Sequence, residues 1–84
     1  MAYSDYKTVV MPAPPPGGWA GKLLRTDGKV LFHIENDVSF IEPNDFVLVL
    51  EVLRGEKMKV MVLNDEQKTG TVWSTELLIN TKQV

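Results

Sequence analysis

The chain has 84 residues, 44% of them apolar, and a formal net charge of −2 at pH 7, which together predict one small globular domain. Cysteine is absent and histidine occurs once, which excludes disulfides, thiolate zinc sites and metal sites built from imidazoles alone. The negative charge argues against nonspecific binding to nucleic acid, because neutralising phosphates needs clustered Lys and Arg. No apolar run reaches the roughly 18 residues of a transmembrane helix.

The first 18 residues differ in composition from the rest of the chain. Four of the five prolines lie in the sequence PAPPP. Because proline fixes φ and has no amide donor, this stretch predicts extended polyproline II, with a short strand before it at residues 6–10. We therefore expect a proline-rich arm over residues 1–18 and a barrel domain over residues 19–84. The arm has two interpretations, a stiff spacer or a segment that docks on a neighbouring subunit. In the docking interpretation the contact residues are Pro14, Pro15 and Pro16.

Residues 22–34 predict a β-hairpin. Asp27 and Gly28 separate two β-rich segments, and an Asp-Gly pair in that setting favours a type I′ turn. The next predicted elements are a polar turn at 35–37, a short strand at 38–41 and a turn at 42–45 with Pro43 in the second position, as type I turns prefer.

The second half of the chain predicts a succession of strands without a long helix. Residues 46–53 form a nearly unbroken apolar run, rich in β-branched residues and Leu, which is typical of a buried strand. The elements that follow are a turn at 54–56, a returning strand at 57–63, a polar loop at 64–70, a strand at 71–74, a single 3₁₀ turn at 75–77 and a closing strand at 78–80.

This succession resembles the SH3-like barrel family. The sequence DVSF at residues 37–40, the turn after it and the apolar strand that begins at Phe46 are similar to the family's diverging turn. The sequence from Gly70 to Leu78 is similar to the family's ending, in which a Gly precedes a short strand, a 3₁₀ turn and a last strand. The resemblance covers about residues 37–80. It implies an all-β fold, a small five- to six-stranded barrel to which this chain adds the proline-rich arm and the extra hairpin.

The resemblance does not extend to the proline-binding groove of the family. That groove uses a Trp pair at the strand after the hairpin turn, where this chain has Lys57, Met58 and Lys59. It also uses a P-S-N-Y sequence in the 3₁₀ turn, where this chain has WSTE from Trp73. We therefore expect no binding of PxxP peptides through that groove.

The apolar strand at 46–53 carries apolar residues on both faces. Alternate strand residues face opposite sides, so Val47, Val49 and Leu53 are predicted to face the interior. A small barrel wets its outer face, and an exposed apolar face calls for a cover. The cover is either intramolecular, from the hairpin or from residues 6–10, or it is another subunit. The residues predicted on the outer face are Phe46, Leu48, Leu50 and Val52, with Met61 beside them on the returning strand.

Two further groups of residues have both a functional and a structural interpretation. Trp19 and Trp73 are either core or edge anchors or interface residues, since Trp is frequent at binding hot spots. The acidic residues near the SH3-type acidic loop either contact Arg or Lys of a partner or form solvated turns. These acidic residues are Glu35, Asp37, Glu42 and Asp45.

The favoured hypothesis is a non-enzymatic structural or assembly module that binds protein, as a component of a virion or of a cytoplasmic complex. No catalytic residue, metal ligand, cofactor or small-molecule substrate is predicted, because His33 has no base or nucleophile arranged around it. One alternative is a nucleic-acid-associated barrel that uses Lys22, Arg25 and Lys29, together with the side that carries Lys57 and Lys59. The other alternative is a peptide-binding adaptor. The N-terminus lacks a signal-peptide pattern, so we expect the protein in the cytoplasm or in a virion, without a membrane partner.

Overall fold

A computed structural model describes residues 12–64 and 66–84. The predicted strand at residues 6–10 and most of the proline-rich arm lie outside the described residues. The division of the chain at residue 18 therefore stays a prediction.

The described residues form one antiparallel sheet of seven strands with a short helix before the last strand. The strands lie in the order β3-β2-β6-β5-β4-β1-β7, and no pairing among the described residues joins β3 to β7, so the sheet is not closed. The all-β class is confirmed, whereas a closed barrel of five to six strands is not. The elements are β1 Leu23–Thr26, β2 Val30–Ile34, β3 Asp37–Ile41, β4 Phe46–Leu53, β5 Lys57–Val62, β6 Thr69–Trp73, α1 Ser74–Ile79 and β7 Thr81–Gln83.

The predicted hairpin at Asp27 and Gly28 is wrong. Strand β1 pairs with β4 and β7, and β2 pairs with β3 and β6, so the two strands on either side of Gly28 are not neighbours. The amide of Asp27 donates to the carbonyl oxygen of Asn80 at 2.8 Å. A Cβ at Gly28 would lie 2.6 Å from the Asn80 side-chain oxygen. Glycine is therefore used here for a close crossing of two segments, not for a type I′ turn.

The tight hairpin lies one element later, between β2 and β3. Ile34 and Asp37 are paired across the two strands, which leaves a two-residue connection. Its first residue, Glu35, has a positive φ of 48°, as the first central residue of the favoured hairpin turns requires. The predicted polar turn at 35–37 is thus the hairpin that organises this part of the sheet.

The turn at residues 42–45 forms, but it is not the predicted type I turn. Asn44 in its third position has a φ of +68°, which type II turns require and which Asn tolerates. The hydroxyl of the buried Thr26 donates to Glu42 O at 2.6 Å and accepts from the Asp45 amide at 2.9 Å. It therefore bridges the first carbonyl and the last amide of the turn and ties the turn to β1.

The last elements differ from the prediction because two leucines are buried together. Leu77 and Leu78 are 0% and 6% exposed, and consecutive residues of a strand would face opposite sides of the sheet. The chain forms the short helix α1 here instead of a 3₁₀ turn. The closing strand is displaced to Thr81–Gln83.

Glu76 on α1 completes the hydrogen bonding of β2. Its Oε2 accepts from the Leu31 amide at 2.6 Å, and the single β2–β6 backbone pair is His33 with Thr71. The Glu76 carboxylate thus accepts from an amide of β2 that lies beyond the backbone pairing with β6.

We expect Glu76→Ala to lower the free energy of unfolding by about 1–3 kcal/mol, because the half-buried Leu31 amide loses its acceptor. Denaturant unfolding measures the change. Glu76→Gln is the matched control, since its amide oxygen still accepts, and we expect it to lose less. Equal losses for the two variants would contradict the role of this hydrogen bond.

The core lies on one face of the sheet under α1. Trp19 is 7% exposed and belongs to this core. A turn at the end of the proline stretch precedes it. That turn is closed by a 2.8 Å hydrogen bond from the Gly18 amide to Pro15 O, with Gly17 at φ +83°. The end of the proline stretch is therefore a turn and not continuous polyproline II. The other core residues are Leu24, Val30, Phe32, Ile41, Val47, Val49, Met58, Val60, Val62, Val72, Leu77 and Leu78.

Candidate protein interface

Three neighbouring strands place apolar residues on the face opposite the core. Leu48 on β4 is paired with Leu23 on β1 and with Met61 on β5. Directly paired residues point to the same face of an antiparallel sheet. The three side chains therefore form one row across the outer face. Phe46 and Leu63 lie two residues along the chain from Leu48 and Met61, and they form a second row beside the first. The Leu63 amide donates to Phe46 O at 2.8 Å.

These residues are incompletely covered. Phe46 and Leu63 are 40% and 39% exposed, and Leu23, Leu48 and Met61 are half-buried. On the inner face, by contrast, Val47 and Val49 are fully buried. We call the outer group the outer apolar patch, and its members are Leu23, Phe46, Leu48, Met61 and Leu63. Leu50 was predicted on this face, but no strand pairing places it there.

A β-bulge ends the regular alternation of β4. The pairs Val49–Val60 and Glu51–Lys59 are consecutive, which leaves Leu50 without a partner. Beyond the bulge the two faces exchange, because an extra residue shifts the period-two pattern by one.

This exchange reverses two predicted orientations. Val52 is paired with the buried Met58 and so shares the inner face, whereas Leu53 is paired with Lys57 on the outer face. The sequence-based assignment of Val52 to the outer face and of Leu53 to the interior is therefore wrong. Phe46, Leu48 and Met61 lie before the bulge and keep their predicted face.

The hairpin cannot cover the outer apolar patch as the intramolecular alternative supposed. Leu23 on β1 is itself a member of the patch, and β2 lies beyond β5 and β6 in the sheet. Cover by residues 6–10 lies outside the described residues. Among the predicted interface residues, Pro14 and Pro16 are exposed, Pro15 is half-buried, and Trp19 is in the core. Trp19 is thus separated from the patch by the sheet.

Trp73 lies at the opposite end of the outer face from Phe46. It is 44% exposed, and the Lys57 ammonium lies 4.9 Å from the centroid of its ring. The two residues are paired across β5 and β6. The ring is therefore already engaged in a cation–π contact, and it does not join the outer apolar patch.

The four acidic residues lie in two groups. Glu35 and Asp37 are exposed at the tip of the β2–β3 hairpin, and Glu42 and Asp45 flank the turn at the other end of β3. At about 3.3 Å per strand residue, Asp37 and Glu42 are separated by about 16 Å. Glu42 lies 3.9 Å from the Lys29 ammonium.

One lysine stands close to the hairpin tip. The Lys68 ammonium donates to Glu66 at 2.6 Å. This hydrogen bond raises the pKa of Lys68 above its ordinary value, and the nearby Asp37 carboxylate raises it further. Both groups are solvent-exposed, so the pair contributes little to stability.

Of the cations, Arg25 and Lys82 are directly paired on β1 and β7. Lys22 is half-buried beside Leu23, whereas Lys29 lies next to Glu42. Of the predicted nucleic-acid contacts, Lys29 thus lies beside a carboxylate, whereas Lys57 and Lys59 are exposed on β5.

Comparison with protein-family models, with curated proteins and with solved structures found no match. Over residues 12–64 and 66–84, no three His, Cys, Asp or Glu side chains are grouped so that they could hold a metal ion. In the same part of the chain, no helix is long and apolar enough to cross a membrane.

Two members of the outer apolar patch were missed by the sequence-based interface prediction. Leu63 continues the alternation of Met61, so extending the outer face by one step would have included it. Leu23 carries no such signal, because its membership depends on β1 pairing with β4. The Asp-Gly sequence pointed instead to pairing with β2.

Proposed function

We propose that this protein is a non-enzymatic assembly module that associates with a second copy of itself through the outer apolar patch. The observation that supports this proposal is the continuous row of Leu23, Leu48 and Met61 across three strands, extended by Phe46 and Leu63. Monomeric proteins seldom expose contiguous apolar groups of this kind. Obligate interfaces, in contrast, resemble a core cut in half.

The fold we propose for this module is SH3-like. The order of the last elements supports it, since Gly70 begins a short strand that is followed by a helix of one to two turns and a final strand paired with β1. An SH3-like fold by itself indicates no particular function. The assignment to assembly therefore depends on the patch. A particle built from repeated subunits, such as a virion, is a setting that suits such a module.

Self-association would add to the small net stability that is expected of a domain of this size. A domain of this size has only about 4–13 kcal/mol of stability, and the chain has no cysteine for a disulfide. Face-to-face packing of two patches would remove Phe46 and Leu63 from water. Burial of apolar area contributes about 25 cal/mol per Å².

We expect the wild-type protein to elute with a mass above the 9.4 kDa of one chain in size-exclusion chromatography with light scattering. Leu48→Glu should weaken this association at least about tenfold, because it places a charge at the centre of the patch. Circular dichroism checks that the variant is folded.

Val52→Glu is the matched control. Val52 lies on the same strand and is 52% exposed, but it is outside the patch, so its substitution should leave the mass unchanged. A wild-type protein that remains monomeric at millimolar concentration would overturn the proposal. So would equal effects of the two substitutions.

A further inference from the structure

The two edges of the sheet carry charges of opposite sign. Arg25 and Lys82 lie side by side at the β1–β7 edge, and Glu35 and Asp37 lie at the tip of the β2–β3 hairpin at the other edge. We call the first pair the basic edge and the second pair the acidic edge. All four side chains are exposed.

The basic edge holds two like charges without a counter-ion among the described residues. Arg25 and Lys82 are direct cross-strand partners, and the ion pairs of the described residues are Lys29–Glu42 and Lys68–Glu66. Like charges directly opposite each other destabilise a sheet. A carboxylate bound between them would remove this repulsion.

The basic edge also borders an open groove. The groove has a volume of about 340 Å³ and is lined by Arg25, Lys82 and Gln83 together with the apolar side chains of Phe46 and Val84. A groove with two cations and an apolar wall fits a partner segment that combines carboxylates with apolar side chains.

The acidic edge is such a segment. Asp37 begins β3, and its Oδ1 accepts from the Val38 amide at 2.8 Å. Its other carboxylate oxygen has no hydrogen-bond or ion-pair partner among the described residues. Val38 and Phe40 on the same strand are 53% and 55% exposed. Val38 and Phe40 face the side of the sheet opposite to Asp37, because alternate strand residues face opposite sides, and the Lys29 ammonium lies 5.4 Å from the Phe40 ring centroid. The hairpin therefore carries its carboxylates at the tip and apolar side chains on the other face of β3.

Both edges also have unpaired strand backbone in the described part of the chain, since β3 and β7 are the outermost strands of the sheet. Edge strands present unpaired N–H and C=O groups that can pair with another chain. We propose that copies of this protein associate head to tail, with the acidic edge of one copy on the basic edge of the next. The contact is heterologous, so it forms a chain or a ring of copies.

Phe46 belongs both to this groove and to the outer apolar patch, so the two contacts are separated by testing this inference in the Leu48→Glu background, which leaves Phe46 in place. In that background we expect concentration-dependent association in sedimentation velocity, weakened when salt is raised from about 0.05 to 0.5 M, because screening acts on exposed charges. Two double variants reverse the charges of one edge each. They are Arg25→Glu with Lys82→Glu, and Glu35→Lys with Asp37→Lys.

Each double variant alone should associate at least about tenfold more weakly than the Leu48→Glu parent. An equimolar mixture of the two should regain association, because the unchanged acidic edge of one variant meets the unchanged basic edge of the other. Glu51→Lys, in the middle of the sheet, is the control and should have no effect.

A Leu48→Glu parent that stays monomeric at all concentrations would overturn the head-to-tail contact and leave the proposed function intact. A mixture that fails to regain association, or association that is insensitive to salt, would overturn it as well.

Discussion

Gly70→Ala is expected to lower the free energy of unfolding of this protein strongly. A Cβ on Gly70 would overlap the carbonyl oxygen of His33 and lie 2.8 Å and 2.9 Å from Cε1 and Cζ of Phe32. The first contact is with backbone of β2 and the second with a core ring that is 2% exposed, so neither neighbour moves freely. Overpacking of this kind typically costs about 1–3 kcal/mol and occasionally more. A domain of this size has only about 4–13 kcal/mol of stability in total.

The measurement is urea unfolding followed by tryptophan fluorescence, which the buried Trp19 reports. Gly21→Ala is the control, because a Cβ added at Gly21 would have nothing within 4 Å. Unlike Gly70, Gly21 has a positive φ, of 82°. That conformation costs a non-glycine residue about 1–2 kcal/mol. We expect Gly70→Ala to be the more damaging substitution. The close approach of β6 to β2 is refuted if both variants unfold at the same urea concentration.

The second large effect is expected from Thr26→Val. Valine matches threonine in shape, but it removes the hydroxyl that donates to Glu42 O and accepts from the Asp45 amide. Thr26 is fully buried, so water cannot replace the hydroxyl without rearrangement. A buried polar group left unpaired costs about 1–3 kcal/mol. The turn has two such groups, and we expect a loss of a few kcal/mol.

Thr26→Ser distinguishes the hydroxyl from the methyl group. Serine keeps both hydrogen bonds and loses one methyl, which costs about 1 kcal/mol. We therefore expect the order wild type, Thr26→Ser, Thr26→Val in decreasing free energy of unfolding, measured by thermal and urea denaturation. If Thr26→Val has the same free energy of unfolding as the wild type, the turn closes without the hydroxyl.

The sequence predicts the middle of the fold well because its signals there are local. The apolar run that forms β4, the turn at 54–56 and the return into β5 are found within one residue of their predicted bounds. The outward orientation of Phe46, Leu48 and Met61 follows from simple alternation. These elements are adjacent in the chain and pair with each other.

The predictions that fail concern partners distant in the chain. Asp27 and Gly28 match the sequence preference of a type I′ hairpin turn, but β1 pairs with β4 and β7. The local sequence carries no information about these distant partners. The bulge at Leu50 likewise has no Gly or Pro to mark it. It reverses Val52 and Leu53, and only the observed register reveals this. Leu23 joins the candidate interface for the same non-local reason.

The position of β1 between β4 and β7 has a consequence for biosynthesis. Both neighbours of β1 follow it in the chain, and β2 likewise needs β6 and the Glu76 carboxylate. A ribosome that has released residues 23–34 has therefore produced strands with no complete neighbour on either side. The sheet cannot finish assembling until residues 81–83 have emerged. The nascent chain therefore carries exposed strand edges until these residues emerge, and the pairings between distant segments then form in about the millisecond-to-second range.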